Sequence, residues 1–106
     1  SSDGNGSQPV FDAQGNLTGI GVGGVDSLPR ALRTLVQQHQ FPLAEALRPF
    51  TCNVAAFLGL SGKGALRPGS DADLLVLTPE LAIHQVWAKG KQVVDHGKAT
   101  VRGTFE

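Results

Sequence analysis

The chain has 106 residues, 41% of them hydrophobic and 17% charged, with 14 Gly and six aromatic residues, which fits one modest domain rich in turns and excludes a disordered tail. Nine basic residues balance nine acidic ones, so no net field draws the chain to nucleic acid or an anionic membrane, and no apolar run reaches the roughly 18 residues of a spanning helix. The single cysteine, Cys52, excludes an intramolecular disulfide and is compatible with a reducing cytoplasm, the expected location.

The first residues, Ser1-Ser2-Asp3-Gly4-Asn5-Gly6-Ser7, set one acid in a Gly-rich, turn-forming run. Residues 1–27 read as a long functional loop or a pair of short hairpin arms, with a turn at 12–16 between apolar stretches. Leu28, Leu32, Leu35 and Val36 recur at the spacing of one helix face, predicting a helix over 28–39 with Asp26 or Ser27 as cap and Pro29 in its first turn. A second short helix is expected over 41–48, because Pro42 suits a first turn and Pro49 interrupts the ladder. Thr51 can cap a third, which turns Val54, Ala55, Phe57 and Leu58 inward and stops at Gly59.

Beyond Gly62 the pattern changes to strands. The apolar run 72–78 predicts a strand covered on both faces, followed by shorter β-branched strands over 83–88 and 92–94. A hairpin near Gly90 joins the last two, and 99–101 adds an edge strand.

Several motifs fail on context. Asp3-Gly4-Asn5-Gly6-Ser7 starts like a calcium loop, but Gln8 stands where Gly is needed and Gln14 where the bidentate Glu belongs. Gly19, Gly21 and Gly24 satisfy G-x-G-x-x-G without the strand and βαβ unit that a dinucleotide site requires. Gly59-Leu60-Ser61-Gly62-Lys63-Gly64 lacks the spacing of a phosphate loop. His39, His84 and His96 are widely spread, in no paired ligand spacing, and Cys52 reads as a small apolar residue of a helix. Asp3 has two readings: an Asp-Gly turn, or a carboxylate that serves a metal-assisted hydrolase as ligand and proton carrier, with small residues beside it to admit substrate.

At 51–74 the residues Thr51, Asn53, Ala55, Leu58, Gly59 and Leu60, then Lys63-Gly64, Pro68-Gly69 and Asp71-Ala72-Asp73-Leu74, resemble the C-terminal signature of the amidohydrolase superfamily. Ser2 to Pro9, Phe11-Asp12, Gly15 to Thr18, and the closing Lys98-Ala99, Val101 and Gly103 to Glu106 are similar to the bacterial isoaspartyl dipeptidases. The resemblance implies an α/β fold: the C-terminal end of a TIM-like (β/α)8 barrel over 1–60, its last loop and helices, followed over 61–106 by strands of a small β-sandwich domain.

It also implies a zinc-dependent hydrolase of β-aspartyl dipeptides. Asp3 then corresponds to the catalytic aspartate that ligates one zinc of a two-zinc centre and moves a proton from the attacking hydroxide to the leaving amine, and Ser7 to the serine that helps hold the substrate carboxylate. The remaining ligands of that family precede the residues matched here, so the implied partners are the remainder of a parent enzyme and further copies of it in a homo-oligomer. The 106 residues alone are expected to be inactive. A dihydroorotase-like or deacetylase-like hydrolase shares the signature at 51–74, and a non-catalytic interaction module pairing through the sheet of 65–106 is the alternative of a different class.

Overall fold

The computed structural model describes residues 2–103; Ser1 and the closing Thr104, Phe105 and Glu106 of the resemblance lie outside them. Two β-strands come first, β1 (Ser7–Phe11) and β2 (Leu17–Val22), paired antiparallel with Ser7 opposite Val22 and Val10 opposite Gly19. This settles the first segment as hairpin arms. The turn forms around Asp12, whose Oδ1 accepts the Gln14 and Asn16 amides at 2.9 and 2.8 Å while Gly15 takes φ +85°. Those hydrogen bonds hold the Asp12 carboxyl below its ordinary pKa, the Asn16 amide contributing most. Gly19 and Gly21 lie inside β2, so the G-x-G-x-x-G residues form no phosphate turn.

Helix α1 (Ser27–Gln37) follows, then α2 (Leu43–Leu47), a 3-10 turn (Arg48–Phe50) and α3 (Cys52–Phe57). Asp26 and Thr51 stand at the N-cap positions of α1 and α3, but neither side chain bonds a free helix amide. Asp26 pairs instead with Arg30 one turn on, and the Thr51 hydroxyl donates back to the Leu47 carbonyl at 2.8 Å, fastening α3 to α2. Both longer helices end in a left-handed residue: Gln40 at φ 57°, where Phe41 N–H reaches Leu35 O at 3.0 Å, and Gly59 at φ +70°, where Leu60 N–H reaches Ala55 O at 2.8 Å.

The second half is one antiparallel sheet of four strands in sequence order, β3 (Leu74–Leu77), β4 (Ile83–Ala88), β5 (Lys91–Asp95) and β6 (Lys98–Ala99). Two-residue turns join β4 to β5 and β5 to β6. Their central residues, Lys89-Gly90 and His96-Gly97, all have positive φ, the backbone that matches the twist of a hairpin. β3 is shorter than the predicted strand and lies at the sheet edge, with Leu75 and Val76 exposed at 52% and 39%. The expectation of burial on both faces fails because no second layer covers β3 within the described residues.

The same deficit runs through the helices. Ala55 is buried as expected, but Val54, Leu58 and Phe57 are exposed, Phe57 to 89%. Among the described residues the buried apolar positions are Leu32, Ala46, Ala55 and Leu81. The accessible surface is 8098 Å2 for 11.0 kDa, where a compact monomer of that mass presents about 5,600 Å2. Its radius of gyration, 16.4 Å, likewise exceeds the about 13 Å of a compact domain of this length.

One junction fixes the helices to the sheet. Lys63 Nζ lies 2.8 Å from Asp71 Oδ2 and also pairs with Asp73 Oδ2. Asp73 Oδ1 accepts the Lys89 amide at 2.8 Å, and Ala72 O accepts the Gly90 amide at 3.0 Å. The loop after α3, the approach to β3 and the β4–β5 turn therefore meet at two carboxylates. Beside them Gly64 has φ +82°, and a Cβ there would stand 2.7 Å from the Ala55 Cβ and 3.0 Å from Thr51 O. Farther along, Gln37 Nε2 at the end of α1 donates to Glu80 O in the β3–β4 loop at 3.2 Å.

The hydrogen bonds that Lys63 donates to the Asp71 and Asp73 carboxylates raise its pKa, and the Lys63 and Lys89 donors lower that of Asp73. The Asp73 contribution is present above its unfolded pKa and lost as pH falls through the folded one; that of Lys63 is present below its unfolded pKa and lost as pH rises through the folded one. Asp73→Asn is accordingly expected to lower the thermal midpoint near neutrality and to flatten its fall on acidification, measured by circular dichroism from pH 7 to 3. Gly64→Ala, strained by both backbone and contact, is expected to cost roughly 1 to 3 kcal/mol in urea unfolding.

Candidate functional site

The loop that carries Asp3 is built on the open end of the β1–β2 hairpin. Gly23 N–H donates to Gly6 O and Asn5 N–H to Gly23 O, both at 2.9 Å, which extends the ladder past Ser7. Gly6 N–H also reaches Asp3 O at 2.9 Å, closing a turn over residues 3–6. Inside that turn Asp3 and Asn5 take φ 49° and 65°, conformations that L residues adopt at a cost and that Asp and Asn tolerate best.

Two glycines make the turn possible. A Cβ on Gly6 would stand 2.5 to 2.6 Å from the carboxylate atoms of Asp3, so the Asp3 side chain is folded back against the Gly6 backbone. A Cβ on Gly23 would overlap the Asp3 carbonyl and approach Gln8 Nε2 at 2.8 Å. Gly23 is buried although both chain ends of the hairpin are exposed. Close backbone approach holds the acid, with the Val25 side chain lying against Gly4.

Asp3 and Ser7 are both exposed, four residues apart at the same end of the hairpin. The turn brings the Asp3 carboxylate to Gly6, next to Ser7 in the chain. Two shallow open grooves lie elsewhere, one lined by residues including Cys52, Ala55, Gly59 and Arg67, the other by residues including Ser27, Ala31, Leu35 and His39. Neither includes the Asp3 turn. Cys52 stands half-buried at the start of α3 with its Sγ 3.7 Å from Asn53 Oδ1.

A two-zinc centre does not fit the described residues on their own. Among them the group of metal-ligating side chains close enough to share an ion is His84, Asp95 and His96, which does not contain Asp3. Asp3 can supply one carboxylate oxygen, and a structural or catalytic zinc takes three or four protein ligands.

The histidine pairing was not legible from spacing, since His84 and His96 stand twelve positions apart. The signal that identifies it is the hairpin: His96-Gly97 is a two-residue turn after β5, and its Gly97 N–H donates to His84 O at 2.9 Å. The imidazole rings meet edge to face, 4.7 Å between centroids.

Comparison with known proteins gives the same family from sequence and from shape. Over 98% of its length the chain superposes on a β-aspartyl dipeptidase from Fervidobacterium islandicum AW-1, a structure solved with a β-Asp-Leu dipeptide, with TM-score 0.83 and 34% identity. It is also 45% identical over 56 residues to an adenine deaminase from Petrotoga mobilis and 34% identical over 73 residues to one from Escherichia coli, covering 51% and 67% of the chain. It spans 27% of the dipeptidase chain and 10% and 12% of the two deaminases. With residues 1–93 matched by the profile of the amidohydrolase family, a family of hydrolases that generally use metals, the chain belongs to that family.

Proposed function

We propose that these 106 residues form the C-terminal part of a metal-dependent isoaspartyl dipeptidase, with residues 1–60 completing its barrel and 61–106 contributing strands to its β-sandwich domain. The observation that carries this reading is the likeness to the Fervidobacterium islandicum enzyme over 98% of the chain, whereas the adenine deaminase matches cover 51% and 67%. The exposed apolar side chains of α3 and β3 support it physically: Phe57, Leu58 and Leu75 need a cover, and the remainder of a larger enzyme supplies one.

In this reading Asp3 takes the proton of the attacking water and delivers it to the amide nitrogen as the C–N bond breaks, so that one carboxylate acts first as base and then as acid. Its position suits that role, because Gly4 and Gly6 keep the loop thin and the acid is exposed at the end of a hydrogen-bonded hairpin. Ser7 Oγ donates a hydrogen bond to the substrate carboxylate. Zinc, when bound in the parent, supplies carbonyl polarisation and an acidified water; Asp3 contributes one of its ligands and segments outside these residues the others. A cytoplasmic homo-oligomer completes the proposal, in keeping with the single cysteine. Among the described residues no helix is long and apolar enough to cross a membrane.

The second reading, a deaminase, draws on the adenine deaminase relatives, and one assay separates the two. A longer enzyme containing this chain is expected to hydrolyse β-Asp-Leu and to leave adenine unchanged. Turnover of adenine alone would replace the dipeptidase reading with the deaminase one.

Within the dipeptidase, Asp3→Asn is expected to lower kcat by about 10²- to 10⁴-fold, the usual size of a general acid–base contribution. Ser7→Ala is expected to raise KM by roughly tenfold or more with kcat little changed, reflecting the about 1.5 to 3 kcal/mol of a hydrogen bond to a charged group. Unchanged turnover in Asp3→Asn would remove this carboxylate from the chemistry.

A further inference from the structure

The sheet carries a second set of chemically active side chains, unrelated to Asp3. His84 on β4, Asp95 at the end of β5 and His96 in the following turn each offer a ligand atom, and these atoms lie within 4.8 Å of one another. His96 Nδ1 is 3.1 Å from Asp95 Oδ1, and the two imidazoles are in edge contact. We propose that His84, Asp95 and His96 form a binding site for a borderline divalent transition-metal ion, zinc or nickel in chemical class, on the outer end of the β4–β5–β6 sheet.

Three features support a built site. The backbone fixes the ligands: the β5–β6 turn places His96 at φ 49°, and Gly97 N–H to His84 O locks that turn against β4. A polar relay orients the carboxylate, since Trp87 Nε1 lies 3.5 Å from Gln85 Oε1 and Gln85 Nε2 donates to Asp95 Oδ1 at 3.1 Å. That is the arrangement by which outer partners aim a metal ligand. The donor set, two imidazoles and one carboxylate, matches zinc and nickel and does not suit calcium or magnesium, which take oxygen ligands.

The distances leave room for closure. Bonds of about 2.0 to 2.2 Å to a common ion bring donors closer together than 4.8 Å. His96 supplies the movement, its side chain being 77% exposed, while His84 and Asp95 are half-buried and hold their places. The Gln85 amide, with His96 after it, holds the Asp95 carboxyl below its ordinary pKa. Water completes the coordination at the exposed side.

The test is a zinc titration of the full 106-residue chain at pH 7, following the imidazole carbon-bound protons by NMR, with His39 as internal reference. The His84 and His96 signals are expected to move together and saturate at one zinc per chain while His39 stays in place. His84→Asn and Asp95→Asn are each expected to weaken binding at least about tenfold, and Gln85→Ala to do so through loss of the outer partner. Asp3→Asn is expected to leave the affinity unchanged, which separates this site from the proposed catalytic metal. Parallel movement of all three histidines, or full affinity in His84→Asn, would overturn the proposal.

Discussion

One lysine between two aspartates organises this chain. Lys63 leaves the loop after α3 and meets Asp71 and Asp73 just before β3, while Asp73 also receives the backbone of the β4–β5 turn. Three segments distant in sequence thus share one charged point. The exposure of these groups makes each ion pair weak in isolation, and the backbone amide on Asp73 is what converts them into a joint. Gly64 adds the steric half, since only a residue without Cβ lets the loop lie on Ala55 and Thr51.

That joint matters because apolar packing does so little here. Small or isolated buried residues, Ala46, Ala55, Leu32 and Leu81, replace a continuous core, and the surface is far larger than a compact chain of this mass would present. Local devices carry the fold instead: left-handed helix ends, two tight hairpin turns and an aspartate-closed turn at Asp12. A loop held by backbone hydrogen bonds, as the Asp3 turn is, keeps its acid exposed without needing a core beneath it. In the proposed parent, the same exposed faces of α3 and β3 become interior.

Local chemistry was legible and coverage was not. Gly59 as a helix stop, Gly90 as a hairpin turn and the boundaries of β4 follow from φ preferences and β-branched runs, which act over a few residues. The apolar run at 72–78 shortens because Asp73 is committed to Lys63 and Lys89, a long-range demand that alternation within the strand does not encode. Phe57 and Leu58 look like core residues and are exposed, since periodicity shows which side chains want cover and is silent about whether the covering atoms belong to the same chain. For the site, the Gly-flanked acid was legible at Asp3 from composition, whereas His84 and His96 meet only through the register of two hairpins.

The central claim is that the helical half is an incomplete layer whose cover lies outside these 106 residues, and amide hydrogen exchange tests it residue by residue. In the 106-residue chain the β4–β5 ladder is expected to exchange most slowly and the amides of α1 and α3 much faster; in a longer amidohydrolase containing this chain, the α1 and α3 amides are expected to become as protected as the sheet. Helices as protected in the 106-residue chain as in the longer enzyme would contradict it.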